Sequence, residues 1–237
     1  MMNIAVLLAG GSGRRMGAPE PKQFIEVAGR TILEHSIRAF SSHAAIDEIV
    51  IVSHADYIDR VNTIAKPYEK VRHIVAGGKE RYHSTLSAIG LYSSLSPAQQ
   101  VATNILIHDA VRPLVSHRII SDCIAALRHN SAVDVAIACT DTICEVNADG
   151  HIVRIPARST LRNVQTPQGF HLDTIAQAYS TGLKDPDFIT TDDCGVVHRY
   201  LPDTGIYVVD GETTNIKITY PEDLILAEKI LANDKNA

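Results

Sequence analysis

The 237-residue chain carries four cysteines, Cys123, Cys139, Cys144 and Cys194, and none forms a Cys-x-x-Cys pair or stands at zinc-ligand spacing from a histidine. That argues against a disulfide scaffold or a zinc module and fits thiols kept reduced, so a cytoplasmic location is expected. No stretch approaches the ~20 apolar residues of a membrane-spanning helix, so no membrane partner is expected. Positive charge is not in excess: the formal net charge is −5. A broad nucleic-acid footprint, and with it a nucleic-acid partner, is therefore not expected, and any anion site must be local. The opening run Met1–Gly11 lacks a basic lead and breaks at glycine, which reads as a first strand rather than a signal peptide. Internal repeats, low-complexity tracts and long linkers are missing too, so one domain over 1–237 is expected. No Ser–His–Asp or Cys–His constellation stands out.

What is present is alternation. Residues 3–8, 48–53, 71–75, 103–107 and 133–138 read as apolar strands. Between them, Thr31 and Glu34 form a capping box, and Leu33, Ile37 and Phe40 recur as one buried helical stripe. Further helices are predicted over 58–65, 80–95 and 116–129, and a short one after Thr190–Asp193. A strand follows over 206–209. Thr219-Tyr220-Pro221-Glu222 then reads as a capping box with proline in the first turn. This order predicts an α/β fold, a Rossmann-like, mostly parallel sheet with helices on both faces. Ligands of such sheets sit beyond the carboxyl ends of the strands. From Asp141 to Phe170 the pattern changes. Thr142–Val146 and His151–Ile155 flank the turn signal Asn147–Gly150, predicting a projecting β-hairpin arm over roughly 140–157. Its unpaired edges call for a cover.

The first strand empties into Ala9-Gly10-Gly11-Ser12-Gly13, followed by Arg14-Arg15 and Pro21-Lys22-Gln23. Glycines in such a turn let backbone N–H groups form a nest for phosphate. Two familiar phosphate loops do not fit. The Walker spacing from Gly11 reaches Met16 with no Lys-Ser/Thr pair. The dinucleotide fingerprint has Gly11 and Gly13 but Met16 in its third place, and the second strand ends at Ser53-His54 without an acid. A bland glycine turn would lack the cations Arg15 and Lys22, which here stand beside it. The reading is a nucleoside triphosphate site.

Three later segments extend it. Val71–Val75 runs into Ala76-Gly77-Gly78, then Glu80-Arg81-Tyr82-His83-Ser84, again glycines between strand and helix; His83 reads as structural or solvated. The strand over 104–108 carries His108-Asp109 to its tip, with Arg112-Pro113 beyond; Asp109 there suits a divalent cation or a substrate hydroxyl, or merely a turn cap. Asn215-Ile216-Lys217-Ile218-Thr219 places Lys217 on the polar side of a strand.

The string Leu8–Met16 with Pro21-Lys22-Gln23 resembles the signature of nucleotidyltransferases that join a nucleoside triphosphate to a sugar or polyol phosphate. The Pro-Lys-Gln continuation narrows the resemblance to the cytidylyltransferases of 2-C-methyl-D-erythritol 4-phosphate and of ribitol 5-phosphate. His108-Asp109-Ala110-x-Arg112-Pro113, Gln165-Thr166-Pro167-Gln168-x-Phe170 with Arg158 eight residues before the threonine, and Asn215-Ile216-Lys217-x-Thr219 match the same family. Ala157 departs from the acid or asparagine usual before that arginine.

The resemblance implies CTP and a polyol phosphate as substrates. It implies a nucleotide site of Leu8, Ala9, Gly10, Gly11, Gly13, Gly77, Gly78, Ser84 and Asp109. Arg15 and Lys22 would serve the triphosphate and its transition state. Arg158 and Lys217 would position the acceptor, with Asp109, Arg112, Thr142, Thr166 and Thr191 on the acceptor side. Mg²⁺ is expected, held mainly through the CTP phosphates, with no dedicated protein metal site. A homodimer paired through the arm is implied as well. The chemistry needs no general base, because a phosphate monoester with a second pKa near 6 is already largely a dianion. Alignment and electrostatic preorganisation suffice. Methylerythritol phosphate comes first as acceptor. Ala110–Pro113, His117–Ile120 and the Ile155-Pro156-x-Arg158 spelling lean toward ribitol phosphate. A non-catalytic nucleotide-binding module is the alternative of another class, and a dehydrogenase is more distant.

Overall fold

The computed structural model describes residues 1–11, 13, 16–17 and 20–234. Twelve strands are described: β1 Met2–Ala9, β2 Glu26–Val27, β3 Arg30–Thr31, β4 Glu48–Ser53, β5 Val71–Ala76, β6 Thr103–Asp109, β7 Ala132–Ala138, β8 Glu145–Val146, β9 Ile152–Arg154, β10 Arg162–Val164, β11 Gln168–His171 and β12 Ile206–Asp210. The helices are α1 Ile32–Ser42, α2 Ile58–Ala65, α3 Arg81–Gly90, α4 Pro97–Val101, α5 His117–Ala126, α6 Leu172–Gly182, α7 Asp193–Tyr200 and α8 Pro221–Asp234.

β5, β4, β1 and β6 lie side by side and parallel. β1, β4 and β6 are buried along nearly their whole length because both faces are covered, whereas the edge strand β5 carries Arg72 and His73 to the surface. Successive side chains of a strand point to opposite faces. Ala5 and Leu7 of β1 accordingly share one core with Leu33, Ile37 and Phe40 of α1, Val61 of α2 and Ile119 of α5. Ile4, Val6 and Leu8 belong to the opposite core, with Ala88 of α3, Ile175 and Tyr179 of α6 and Val197 of α7. The sheet then departs from the parallel pattern. β11 runs antiparallel between β6 and β7. β10 continues along the same edge of β7, also antiparallel, and β12 closes the far edge in parallel.

Local signals hold with adjustments. Thr31 caps α1 by accepting from Glu34 N at 3.2 Å. The helix expected over 80–95 stops at Gly90, and Leu91, Tyr92, Ser93 and Leu95 donate to carbonyls three residues back, a run of turns. The strand expected over 215–219 forms no ladder; Ile218 N instead donates to Val111 O at 2.9 Å. At the start of α8 the cap is Asp223 rather than Glu222, its carboxylate accepting from Thr219 N and Tyr220 N. The arm is present as β8 paired antiparallel with β9, apart from the main sheet. Asn147 Oδ1 accepts from Asp149 N and His151 N to set its turn. Among the described residues no helix is long and apolar enough to cross a membrane.

Candidate active site

Registration brings four strand ends together. Ala9 of β1 pairs with Ser53 of β4, Ser53 with Ala76 of β5, and Leu8 with Asp109 of β6. Beyond these ends opens a cavity of about 860 Å³, lined by Leu8, Ala9, Gly10, Gly11 and Gly13, by Gly77, Gly78 and Ser84, and by Lys22, Asp109 and Lys217. All the nucleotide-site residues expected from the sequence therefore face one space. Gly13 has φ +66°, the left-handed region that glycine enters without penalty, with the Lys22 backbone packed beside it. At Gly77 a β-carbon would collide with Ser84 and press on Val52, so glycine is what lets the buried Ser84 hydroxyl come close to the turn.

Lys22 is buried and donates through Nζ to Ile218 O at 2.6 Å. That bond ties the end of the first loop to the segment 216–219. Gln23 Nε2 donates to Ala9 O at 2.7 Å, fixing the point where β1 enters the loop. Lys217 Nζ donates to Asp109 Oδ2 at 2.7 Å, and its side chain is 40% exposed against 12% for Asp109. Arg81 Nε stands 3.5 Å from Asp109 Oδ1. Burial alone would raise the Asp109 carboxyl, but Arg81, Lys217 and Arg112 outweigh it and hold the group far below the carboxylate range. Asp109 is thus a permanent anion between two cations.

Behind the cavity runs a structural layer. Asp109 N donates to Thr166 Oγ1 at 3.1 Å. The threonine proton then goes to His108 Nδ1, 2.9 Å away, which leaves Nε2–H to donate to Arg112 O at 3.0 Å. Burial pushes His108 down to about 4, so it is neutral and takes no part as an acid. Arg112 donates to Asn215 O at 2.8 Å and Val164 O at 3.4 Å. Asn215 Nδ2 donates to Thr166 O at 2.9 Å. Thr166 and Arg112 therefore brace Asp109 and the 215–219 segment from behind rather than lining the cavity.

Other expected residues lie elsewhere. Thr142 and Arg158 are exposed near the arm, where Arg158 donates to Thr140 O at 3.1 Å. Thr191 is exposed just before α7. None of the three lines the cavity. Arg15 lies outside the described residues. His83 accepts from Glu80 N at 3.0 Å through Nδ1, a cap on α3. Sequence reasoning missed Arg81, although a cation in the first turn of a helix after Gly77-Gly78 was a signal for it.

For a divalent cation, the lining supplies the carboxylates Glu80 and Asp109, and both oxygens of Asp109 already face cations. No cluster of three or more metal-binding side chains occurs among the described residues. Two carboxylates that also face cations are compatible with a metal carried in on the phosphates of a nucleotide.

Residues 3–233 match the family model described as 2-C-methyl-D-erythritol 4-phosphate cytidylyltransferase. The chain is 42% identical over 233 residues to the protein of that name from Thermobifida fusca, covering 96% of this chain and 92% of the relative. It is 45% identical over 231 residues to the bifunctional ribulose 5-phosphate reductase/CDP-ribitol pyrophosphorylase Bcs1 of Haemophilus influenzae, covering 96% of this chain but 48% of that longer protein. The crystal structure of 4-diphosphocytidyl-2C-methyl-D-erythritol synthase from Anaerococcus prevotii superposes with a TM-score of 0.84 at 35% identity, covering 98% of this chain and 96% of the other. The glycine loops, the paired strand ends and this full-length likeness lead to one assignment: the chain belongs to the 2-C-methyl-D-erythritol 4-phosphate cytidylyltransferase family.

Proposed function

We propose that this chain transfers CMP from CTP to a polyol phosphate, 2-C-methyl-D-erythritol 4-phosphate first, and releases pyrophosphate. The carrying observation is the convergence of Lys22, Lys217 and Asp109 with two glycine turns in one cavity at the strand ends. The acceptor phosphate oxygen attacks the α-phosphorus of CTP, the bond from that phosphorus to the bridging oxygen breaks, and pyrophosphate departs. No side chain needs to take a proton from a phosphate dianion. The chain's task is to align two polyanions and to meet the charge that grows on the phosphorus and leaving group. Lys22, with Arg15 expected beside it, serves the triphosphate; Lys217 holds the acceptor phosphate in line. Gly77, Gly78 and Ser84 hold the nucleoside end. Mg²⁺ held on the CTP phosphates would supply charge neutralisation there, with Glu80 and Asp109 the carboxylates in the lining that could approach it.

The arm supports a second-copy reading. Ile143, Val146, Ile152, Val153 and Ile155 are exposed along it. Pairing with another copy as a homodimer would cover them, and would give Arg158 a route to an acceptor that it lacks near its own chain's cavity. No nucleic acid or membrane enters this scheme, and the reaction is a cytoplasmic one.

One observation favours ribitol 5-phosphate as acceptor: the 45% identity to about half of the Haemophilus protein whose name includes CDP-ribitol pyrophosphorylase. Pyrophosphate release with CTP and each acceptor in parallel decides between them. Faster turnover of methylerythritol phosphate supports the first reading, and faster turnover of ribitol phosphate replaces it. No release with either overturns both and leaves a binding module.

A further inference from the structure

The charges at the cavity continue into the core. Arg81, in the first turn of α3, reaches two carboxylates. Its Nη1 donates to Asp193 Oδ2 at 2.6 Å, while its Nε faces Asp109 Oδ1 at 3.5 Å. Asp193 opens α7 and its side chain has no exposure at all. Tyr179 of α6 donates its hydroxyl to Asp193 Oδ1 at 2.6 Å, and Asp193 N donates to Gln168 Oε1 at 3.0 Å. Gln168 lies two residues beyond Thr166, the hydroxyl that receives Asp109 N. Asp109, Arg81, Asp193 and the stretch from Gln168 to Thr166 thus form a closed circuit, and Lys217 hangs from Asp109.

We infer that Asp193, which cannot touch any substrate, is a positioning residue for CMP transfer: through Arg81 it sets how Asp109 presents the Lys217 ammonium to the cavity. The inference rests on the proposed reaction and deepens it. A carboxylate shared by two cations neutralises neither fully. Arg81 takes part of the Asp109 charge, which leaves Lys217 with net positive field toward a bound phosphate. Asp193 keeps the guanidinium in that shared position, because a fully buried carboxylate holds its cationic partner firmly. The circuit also joins the cavity to the loop before α7. Arg81 and Ser84 share α3 on the nucleotide side. The loop before α7 carries Thr191, and Gln168 anchors it by donating to Asp192 Oδ2 at 2.6 Å.

The test is a double-variant cycle of Asp193→Asn and Arg81→Gln, with Tyr179→Phe as the structural control. Each variant is read by melting temperature, by CTP affinity, and by kcat and acceptor KM for pyrophosphate release. Asp193→Asn is expected to lower kcat/KM for the acceptor by about tenfold or more with CTP affinity held within a few-fold, while Tyr179→Phe, which breaks a bond to the same carboxylate but keeps its charge, costs activity no more than about threefold. Arg81→Gln strands a buried anion, so adding Asp193→Asn to it should raise the melting temperature and cost no further activity. Equal activity losses in Asp193→Asn and Tyr179→Phe, or an undiminished penalty for Asp193→Asn on the Arg81→Gln background, would overturn the inference. Wild-type turnover in the same assay bears on the reaction itself, and the melting-temperature arm of the cycle reads the coupling without any turnover.

Discussion

The cavity at the ends of β1 and β6 and the arm of β8 and β9 are built on opposite terms. At the cavity Lys22, Lys217 and Asp109 are each held by partners from distant parts of the chain: Lys22 by Ile218 O, Lys217 by Asp109, Asp109 by Thr166 and Arg81. The strands beneath it are buried on both faces. The arm has the reverse character. Its two short strands pair only with each other, and its aliphatic side chains face solvent. An isolated two-stranded hairpin is marginal in water. The lesson is that the described cavity lining is drawn together within one chain, whereas the proposed roles of the arm and Arg158 call for a second copy.

The sharpest break of that comparison is Lys22→Ala. Losing a preorganised cation at the transition state should slow CMP transfer roughly a hundredfold or more, equivalent to ~3 kcal/mol, read by pyrophosphate release. Arg158→Ala tests the other region. It should raise the acceptor KM by about tenfold while CTP affinity, measured by calorimetry, stays unchanged, because Arg158 is absent from the cavity lining. If the arm pairs two copies, Val153→Glu should shift the sedimentation coefficient from dimer to monomer at micromolar concentration, since the change places a charge among exposed apolar side chains that pairing would bury.

A smaller effect concerns the layer behind the site. Burial, with added repulsion from Asp192, pushes Asp134 up from 3.8 to about 6. Between those values the folded chain binds the extra proton, so this group's contribution to stability falls as pH rises. His108 has the opposite sign. Burial lowers it from 6.5 to about 4, so its contribution is full above 6.5 and is lost as pH falls toward 4. The two slopes oppose one another. Asp134→Asn removes the falling one, and the urea midpoint of the variant should climb more steeply than wild type between pH 4 and 6. A parallel climb would mean that Asp134 does not titrate there.

The smallest expected change lies at the turn between β2 and β3, where Ala28 has φ +51° and Gly29 φ +80°. Asparagine tolerates that region better than alanine, and Asn-Gly is the favoured pair for such a hairpin. Ala28→Asn should add about 0.5–1 kcal/mol to unfolding free energy by urea titration with no change in turnover.

Much of this was legible in the sequence because it is local. Apolar runs marked β1, β4, β5, β6 and β7 nearly to the residue, and Thr31 with Glu34 marked the start of α1. Asn147–Gly150 marked the arm's turn. The glycine loops and the tip acid Asp109 were placed correctly because strand ends in such a sheet share one side. What periodicity does not carry is pairing direction, so β11 inserting antiparallel between β6 and β7 was not foreseen. Nor does it carry long-range partners. Arg81 and Asp193 are 112 positions apart, and only the fold shows that they meet. Lys217 lines the cavity but not from a strand, because a backbone bond to Val111 and side-chain bonds from Lys22 and Arg112 replace a ladder there.

The most direct measurement is a single-turnover comparison of wild type and Lys22→Ala with CTP and acceptor both saturating. With binding removed from the rate, the convergence of cations on one anionic centre predicts a chemical step slowed roughly a hundredfold or more while CTP occupancy matches wild type. A step within a few-fold of wild type would contradict it.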